Sequence, residues 1–353
     1  MINDGPYVFS SKGVIETYLI DIPTPGKTSR IIKDQWPAQN GAAKTLTCHL
    51  DNTLYNTGME NFDFSLYPHE FFTDNPHEYD QPGEILAMSD IEGNFYALQS
   101  LLTAHGVMDK QARWTYGTNH LVINGDLIDR SNNALACLWL IYKLDAEAKL
   151  SGGAVHYILG NHELMNFESD FRYVNSKYKS SPKRMQLYEA LFSTNSVLGN
   201  WIRTKNSIEK IGNYLFVHAG ISPELLASKL LMEEVNKLLR EYLCKEYKGF
   251  LTEEEKLLTG DDGPLWYRGL VEYKVEKRLP TKEHIARTLE IFNCEKIIIG
   301  HTVVPDFTRI WNGRVIVIDI YQPSQKSSVP AQACLIKGDQ ECNINDKGIK
   351  GAF

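Results

Sequence analysis

HLVINGDLIDR, residues 120–130, runs through a short apolar stretch and then breaks on Gly125, with Asp126 and Asp129 just behind it. Val and Ile favour a buried, pleated strand, and Asn-Gly-Asp ends such a strand in a turn. The same texture recurs on both sides. ILAM (85–88) precedes SDIEGNF, AVHYIL (154–159) precedes the turn NHELMN, YLFV (214–217) precedes HAG, and KIIIG (296–300) precedes His301. Helix-like segments, FYALQSLLTAHG after the first run and NNALACLWLIYKLDAEAKL after the second, alternate with these strands, which predicts an α/β domain.

Each strand ends on residues that are polar and able to bind a cation: Asp90 and Glu92, Asp126 and Asp129, Asn161 and His162, His218, His301. The carboxyl ends of strands in an open α/β sheet form the ligand crevice, so residues far apart in sequence converge there. Singly, each has an ordinary explanation. An Asp after a strand caps a turn, and a lone buried His is more often hydrogen-bonded than a ligand. Five strand ends that all deliver Asp, Glu, Asn or His are hard to derive from packing. Oxygen and imidazole donors without thiolates suit Mg²⁺, Mn²⁺, Fe or Zn²⁺, and a carboxylate able to bridge two cations is the hinge of a binuclear hydrolytic site.

GDLIDR (125–130), GNHE (160–163), VHAG (217–220) and GHT (300–302) occur in the order of the signatures of the calcineurin-like metallophosphoesterases, which the chain resembles from about Ile85 to Ile320. DGPYVF (4–9), GNHELMNF and GPLWYRG (263–269) resemble more narrowly the Shewanella-like protein phosphatases. The resemblance implies a four-layer αββα sandwich. It also implies two divalent metal ions, Mn, Fe, Mg or Zn, with Asp126 bridging them, Asp90 on one, and Asn161, His218 and His301 on the other. His162 would protonate the leaving oxygen, Asp129 would hold that imidazole, and Arg130 and Arg268 would grip the phosphoryl oxygens. Hydrolysis would be direct, by a metal-bridging hydroxide without a phosphoenzyme. The chain departs from the family at its first motif, where Asp90-Ile91-Glu92 stands in place of Asp-x-His; Glu92 is expected as an oxygen ligand that hardens the first site. GHTVV also lacks the second histidine of Gly-His-x-His, as the phosphoprotein phosphatase branch does.

Composition sets the remaining bounds. With 353 residues, 43% hydrophobic and 23% charged, the chain has ample material for a large core. A formal charge of −7 speaks only against a broad phosphate-binding surface, and no nucleic-acid partner is expected. Six cysteines without a CxxC pair read as thiols. No run approaches the roughly 18 apolar residues of a membrane helix, and MINDGPYVFSS lacks the segments of a signal peptide, so a cytoplasmic protein is expected. Nothing in the sequence speaks to oligomeric state. Alternating stretches from Tyr7 to Phe72 predict an N-terminal β-rich appendage, residues 1–83, ahead of a metallophosphoesterase domain, residues 84–353.

Two amphipathic blocks, Phe167–Asn206 and Ser222–Asp262, are expected as helical insertions. The second carries a core-facing stripe of Leu225, Leu226, Leu230, Met232, Val235, Leu238, Leu239 and Tyr242. Thr281 is placed to cap a helix. KYKSSPKR (177–184) reads either as a guide for anionic substrate or as a solvated loop, Arg172 as a phosphate contact or a partner of Glu168 or Asp170, and Trp266 and Tyr267 as pocket lining or packing. The expected function is a metal-dependent phosphomonoesterase acting on phosphoproteins, including phosphotyrosine. The alternatives are a hydrolase of nucleotides or other small phosphoesters and a catalytically impaired phospho-ligand receptor.

Overall fold

The computed structural model describes residues 2–21, 30–37, 44–50, 62–68, 73–245, 249–271, 280–323 and 329–352. Strands β1 (Ile2–Ser11) and β2 (Val14–Asp21) pair antiparallel around Lys12-Gly13, both at positive φ as a tight hairpin turn requires. β3 (Arg30–Pro37) extends this sheet, and β4 (Leu46–Leu50) pairs with β5 (Phe62–Leu66) as a second hairpin. Both bury one face. Tyr7, Ile20, Phe64 and Leu66 are buried, the Pro6 carbonyl accepts from Trp139 Nε1 at 2.7 Å, and the Phe64 ring stacks on Phe95.

The remaining strands are β6 (Glu78–Tyr79), β7 (Ile85–Met88), β8 (His120–Asn124), β9 (Ala154–Ile158), β10 (Ile208–Ile211), β11 (Tyr214–Val217), β12 (Lys296–Ile299), β13 (Thr308–Ile310), β14 (Val315–Val317), β15 (Gln332–Lys337), β16 (Gln340–Asn345) and β17 (Lys350–Ala352). They form two six-stranded sheets, ordered β17-β16-β15-β7-β8-β9 and β13-β14-β12-β11-β10-β6. Every residue of β7, β8, β11 and β14 is buried, which explains why these strands read as unbroken apolar runs. The antiparallel strands β15–β17 lie beyond the last motif, in a stretch that the sequence reading leaves unassigned.

Register positions the site. In the first sheet Met88 lies opposite Ile123 and Asn124 opposite Ile158, all in parallel pairs. In the second, Phe216 lies opposite Ile298 and Ile299 opposite Val317. The carboxyl ends of β7, β8 and β9 therefore come level, as do those of β11, β12 and β14. Asn124 Nδ2 donates to the Val217 carbonyl at 3.1 Å and ties the two sheets together at this edge.

Helices form where the apolar spacing predicts them. Phe95–Ala104 and Ala134–Leu150 come after β7 and β8, and Thr281 accepts from the His284 amide to cap Lys282–Ile291. Leu225, Met232, Val235, Leu239 and Tyr242 of the expected stripe are buried, with Leu226, Leu230 and Leu238 partly so. NHELMN differs from the expected turn. Asn161–Phe167 is a helix, because the Glu163 carboxylate reaches back to accept the Gly160 amide at 2.8 Å and caps the first turn.

Candidate active site and metal centre

Tight turns place the polar residues at the sheet edge. Asp90, Glu92, Asp126, Asp129, Arg130 and His301 all have left-handed backbone, with φ between 48° and 74°. Each such non-glycine residue costs about 1–3 kcal/mol, and clusters of them mark functional turns. The turns also approach closely. A Cβ on Gly160 would lie 2.2 Å from Asp126 Oδ1, and one on Gly300 would lie 2.6 Å from Asp90 Oδ2, so only glycine fits either place.

Around Asp126 the sequence-predicted residues come together. His218 Nδ1 donates to the Asn124 carbonyl at 2.8 Å, leaving Nε2 at 3.1 Å from Asn161 Oδ1 and 3.3 Å from Asp126 Oδ2. His301 Nε2 donates to the Trp266 carbonyl at 3.1 Å, so its other ring nitrogen keeps a lone pair. Asp126, His218 and His301 offer donor atoms within 4.8 Å of one another, and so do Glu92, Asp126 and His162. Asp90 Oδ2 accepts from Ser89 Oγ and from the His301 amide. Glu92 also pairs with Arg130, at 2.5 Å.

His162 sits against Asp129, its Nδ1 donating at 2.7 Å, with Nε2 at 3.7 Å from Asp126 Oδ2. Arg268 lines the same cavity of about 590 Å³, and its Nη1 donates to the His301 carbonyl at 2.7 Å. Burial opposes charge on His162 and His218, but Asp126 outweighs it and lifts them to about 9 and about 10. Burial likewise pushes the Asp126 carboxyl up, yet His218 and His162 hold it well below the carboxylate range. The other acids go the opposite way. Burial lifts Asp90 to about 6 and, despite Arg130, Glu92 to about 7, because each also feels the Asp126 charge.

Residues 83–305 match the calcineurin-like phosphoesterase family. The chain belongs to this family. It is 29% identical over 271 residues to an uncharacterized protein of Schizosaccharomyces pombe, covering 72% of this chain and 80% of that one. Shewanella-like protein phosphatase 2 of Arabidopsis thaliana is 24% identical over 287 residues, 69% of this chain and 72% of its own. The crystal structure of the cold-active protein-tyrosine phosphatase of a psychrophilic Shewanella species superposes with a TM-score of 0.80 at 25% identity, over 99% of this chain and 98% of that one. The two-sheet α/β architecture is that of the calcineurin-like fold.

A calcineurin-like phosphoesterase implies divalent metal ions, and the donors here fit them. His218 and His301 each spend one ring nitrogen on a backbone carbonyl and turn the other to Asp126, which is how metal-ligating imidazoles are oriented. Several contributors escaped the sequence reading. Glu163 accepts the amides of Asp126, Leu127 and Gly160 and the Tyr157 hydroxyl, locking two motifs together. Asn166 Nδ2 donates to both oxygens of Asp129 at 3.1 Å, and the Tyr188 hydroxyl reaches Asp129 at 3.4 Å. The Tyr173 ring lies beneath the Arg130 guanidinium and 5.1 Å from the His162 ring. Asp319 lines the cavity beyond β14; it comes after an apolar run, RVIVI, just as the recognised residues do.

One other expectation needs correction. Lys177 and Arg184 neither guide substrate nor lie in a solvated loop; both are buried and paired with Asp4. Arg172 pairs with Asp170, at 2.6 Å. Trp266 lines the cavity, whereas Tyr267 is buried. The six cysteines are free thiols. Among the described residues no helix is long and apolar enough to cross a membrane.

Proposed function

We propose that this chain is a binuclear metal-dependent phosphomonoesterase acting on phosphoproteins, with phosphotyrosine as its preferred side chain. One observation carries the binuclear reading: the Asp126 carboxylate offers its oxygens within 4.8 Å of His218 and His301 donors on one side and of a Glu92 oxygen on the other. Asp126 would bridge two divalent cations, Asp90 and Glu92 would serve one, and Asn161, His218 and His301 the other. Such cations, when bound, lower the pKa of the attacking water and neutralise charge on the phosphoryl oxygens.

The chain's own groups do the rest. Asp129 holds His162 Nδ1 and is itself held by Asn166, which leaves Nε2 as the ring nitrogen that would protonate the departing oxygen. Arg130 and Arg268 line the cavity from opposite loops and supply planar, permanently charged donors for the phosphoryl group. Tyr96, Tyr173, Trp266 and Tyr321 also line it, which favours an aryl phosphate over a short alkyl one. The Shewanella relative's name, a protein-tyrosine phosphatase, points the same way.

The experiment compares phosphate release from matched phosphotyrosine, phosphoserine and phosphothreonine peptides and from a dinucleoside polyphosphate, after chelator treatment and addition of Mn²⁺. We expect kcat/KM for phosphotyrosine to exceed the other peptides by at least about tenfold. Faster cleavage of the dinucleotide would make the chain a nucleotide hydrolase. Phosphopeptide binding without turnover under any divalent cation would make it a receptor.

A further inference from the structure

Asp319 is 2% exposed, and it comes just after β14, whose parallel pairing with β12 brings residue 317 level with Ile299 and hence Asp319 beside the His301 turn. Its backbone carbonyl accepts from the Val304 amide at 2.9 Å. Its carboxylate, by contrast, meets no hydrogen-bond donor among the described residues. Instead it lines the cavity together with Asp90 and Glu92, and its strongest charged neighbours are the carboxylates of Asp90, Glu92 and Asp126 and the imidazole of His218.

A buried carboxyl that meets no donor is costly to ionise unless a cation lies beside it. The two arginines that line the cavity have other partners. Glu92 takes Arg130 at 2.5 Å, and Arg268 Nη1 is turned to the His301 carbonyl. Asp319 thus lines the same cavity as Asp90 and Glu92, where a divalent cation would meet carboxylate oxygens.

We propose that Asp319 is a metal-site carboxylate, completing with Asp90 and Glu92 an all-oxygen half of the centre that selects a hard cation such as Mn²⁺ or Mg²⁺ over Zn²⁺. The inference rests on the binuclear reading above. It gives the Asp-x-Glu motif a physical partner, since a site with glutamate in place of histidine gains its third protein oxygen from β14.

The test is Asp319→Asn, isosteric and neutral, compared with the unaltered chain. Mn²⁺ binding is measured by equilibrium dialysis with elemental analysis, and thermal unfolding is followed with and without Mn²⁺. The expected result is one Mn²⁺ of two weakened at least about tenfold. The metal-free variant should melt no lower than the metal-free parent, because the change removes no hydrogen bond of that side chain, and should gain less from Mn²⁺. Two Mn²⁺ bound with unchanged affinity, or a metal-free variant that melts lower while both sites persist, would overturn the inference. As a positive arm, Asp319→Cys should bind Cd²⁺ with a thiolate charge-transfer band stronger than any the parent's own thiols give; a folded variant without that increase counts against the assignment. If the parent itself binds fewer than two Mn²⁺, the binuclear reading is what fails.

Discussion

Glu92 is the residue at which this chain departs from its family, and its surroundings show what the change does. The carboxylate lies within reach of Asp126 and His162 and holds Arg130 at 2.5 Å, so one side chain faces both the proposed cation and a proposed phosphate-binding guanidinium. An imidazole here would remove an anionic oxygen and a partner of Arg130 together. Glu92→His is therefore expected to lower the preference for Mn²⁺ over Zn²⁺ by roughly tenfold, because a nitrogen ligand suits the softer ion. Competitive dialysis of the two metals checks this. A preference ratio that stays put would mean that Glu92 serves Arg130 alone.

At the scale of elements, the strands that carry the site were legible because each is an apolar run ended by a polar turn, and a strand buried on both faces has no other way to look. The helix Asn161–Phe167 was not, since seven residues are too few for a periodic signal and its cap is the side chain of Glu163. Asp319 obeyed the strand-end rule but lay outside the recognised motifs. The pairing of Lys177 and Arg184 with Asp4 spans more than 170 positions, and no local pattern announces it. Helix-to-helix ties of this kind were equally invisible. Asp145, on the helix Ala134–Leu150, accepts from Lys205 at 2.7 Å and from Trp201 Nε1 at 2.9 Å, joining that helix to Val197–Arg203. Burial pushes the Asp145 carboxyl up, but Lys205 and then Lys149 outweigh it and bring it down to about 2. A carboxyl depressed on folding stabilises above its unfolded value, near 4, and that contribution of about 2 kcal/mol is lost as pH falls toward 2. Asp145→Ala should cost about 3–5 kcal/mol at neutral pH, since Lys205 is left buried without its partner. It should also flatten the acid limb between pH 4 and 2. Urea unfolding across that range measures both, and a variant whose acid limb matches the parent's would place the titrating group elsewhere.

The whole molecule connects its N-terminal sheet to the His162–Asp129 pair, the proposed acid dyad, through one helix. Asp4 of β1 is 3% exposed, accepts from the Tyr7 hydroxyl at 2.8 Å, and pairs with Lys177 at 2.8 Å and Arg184 at 3.2 Å. Burial raises its carboxyl, but Lys177 and Arg184 prevail and hold it below the ordinary value. Arg184 and Tyr188 lie one turn apart on Pro182–Ala190 and so share a face. The Tyr188 hydroxyl touches Asp129, which in turn orients His162. The first residues of the chain thereby set the position of a helix that backs the proposed general acid. Asp4→Asn would leave two buried cations facing a neutral amide, a loss of about 3–5 kcal/mol by the usual cost of breaking a buried pair. Below the variant's melting temperature, kcat for phosphate esters should fall roughly tenfold as the dyad loses its alignment. Metal content should stay unchanged, because the residues proposed to hold the cations stand on other elements. Urea unfolding, elemental analysis and steady-state kinetics on one preparation separate these effects. A variant that loses stability but keeps kcat would reduce the N-terminal sheet to a support with no hold on the dyad.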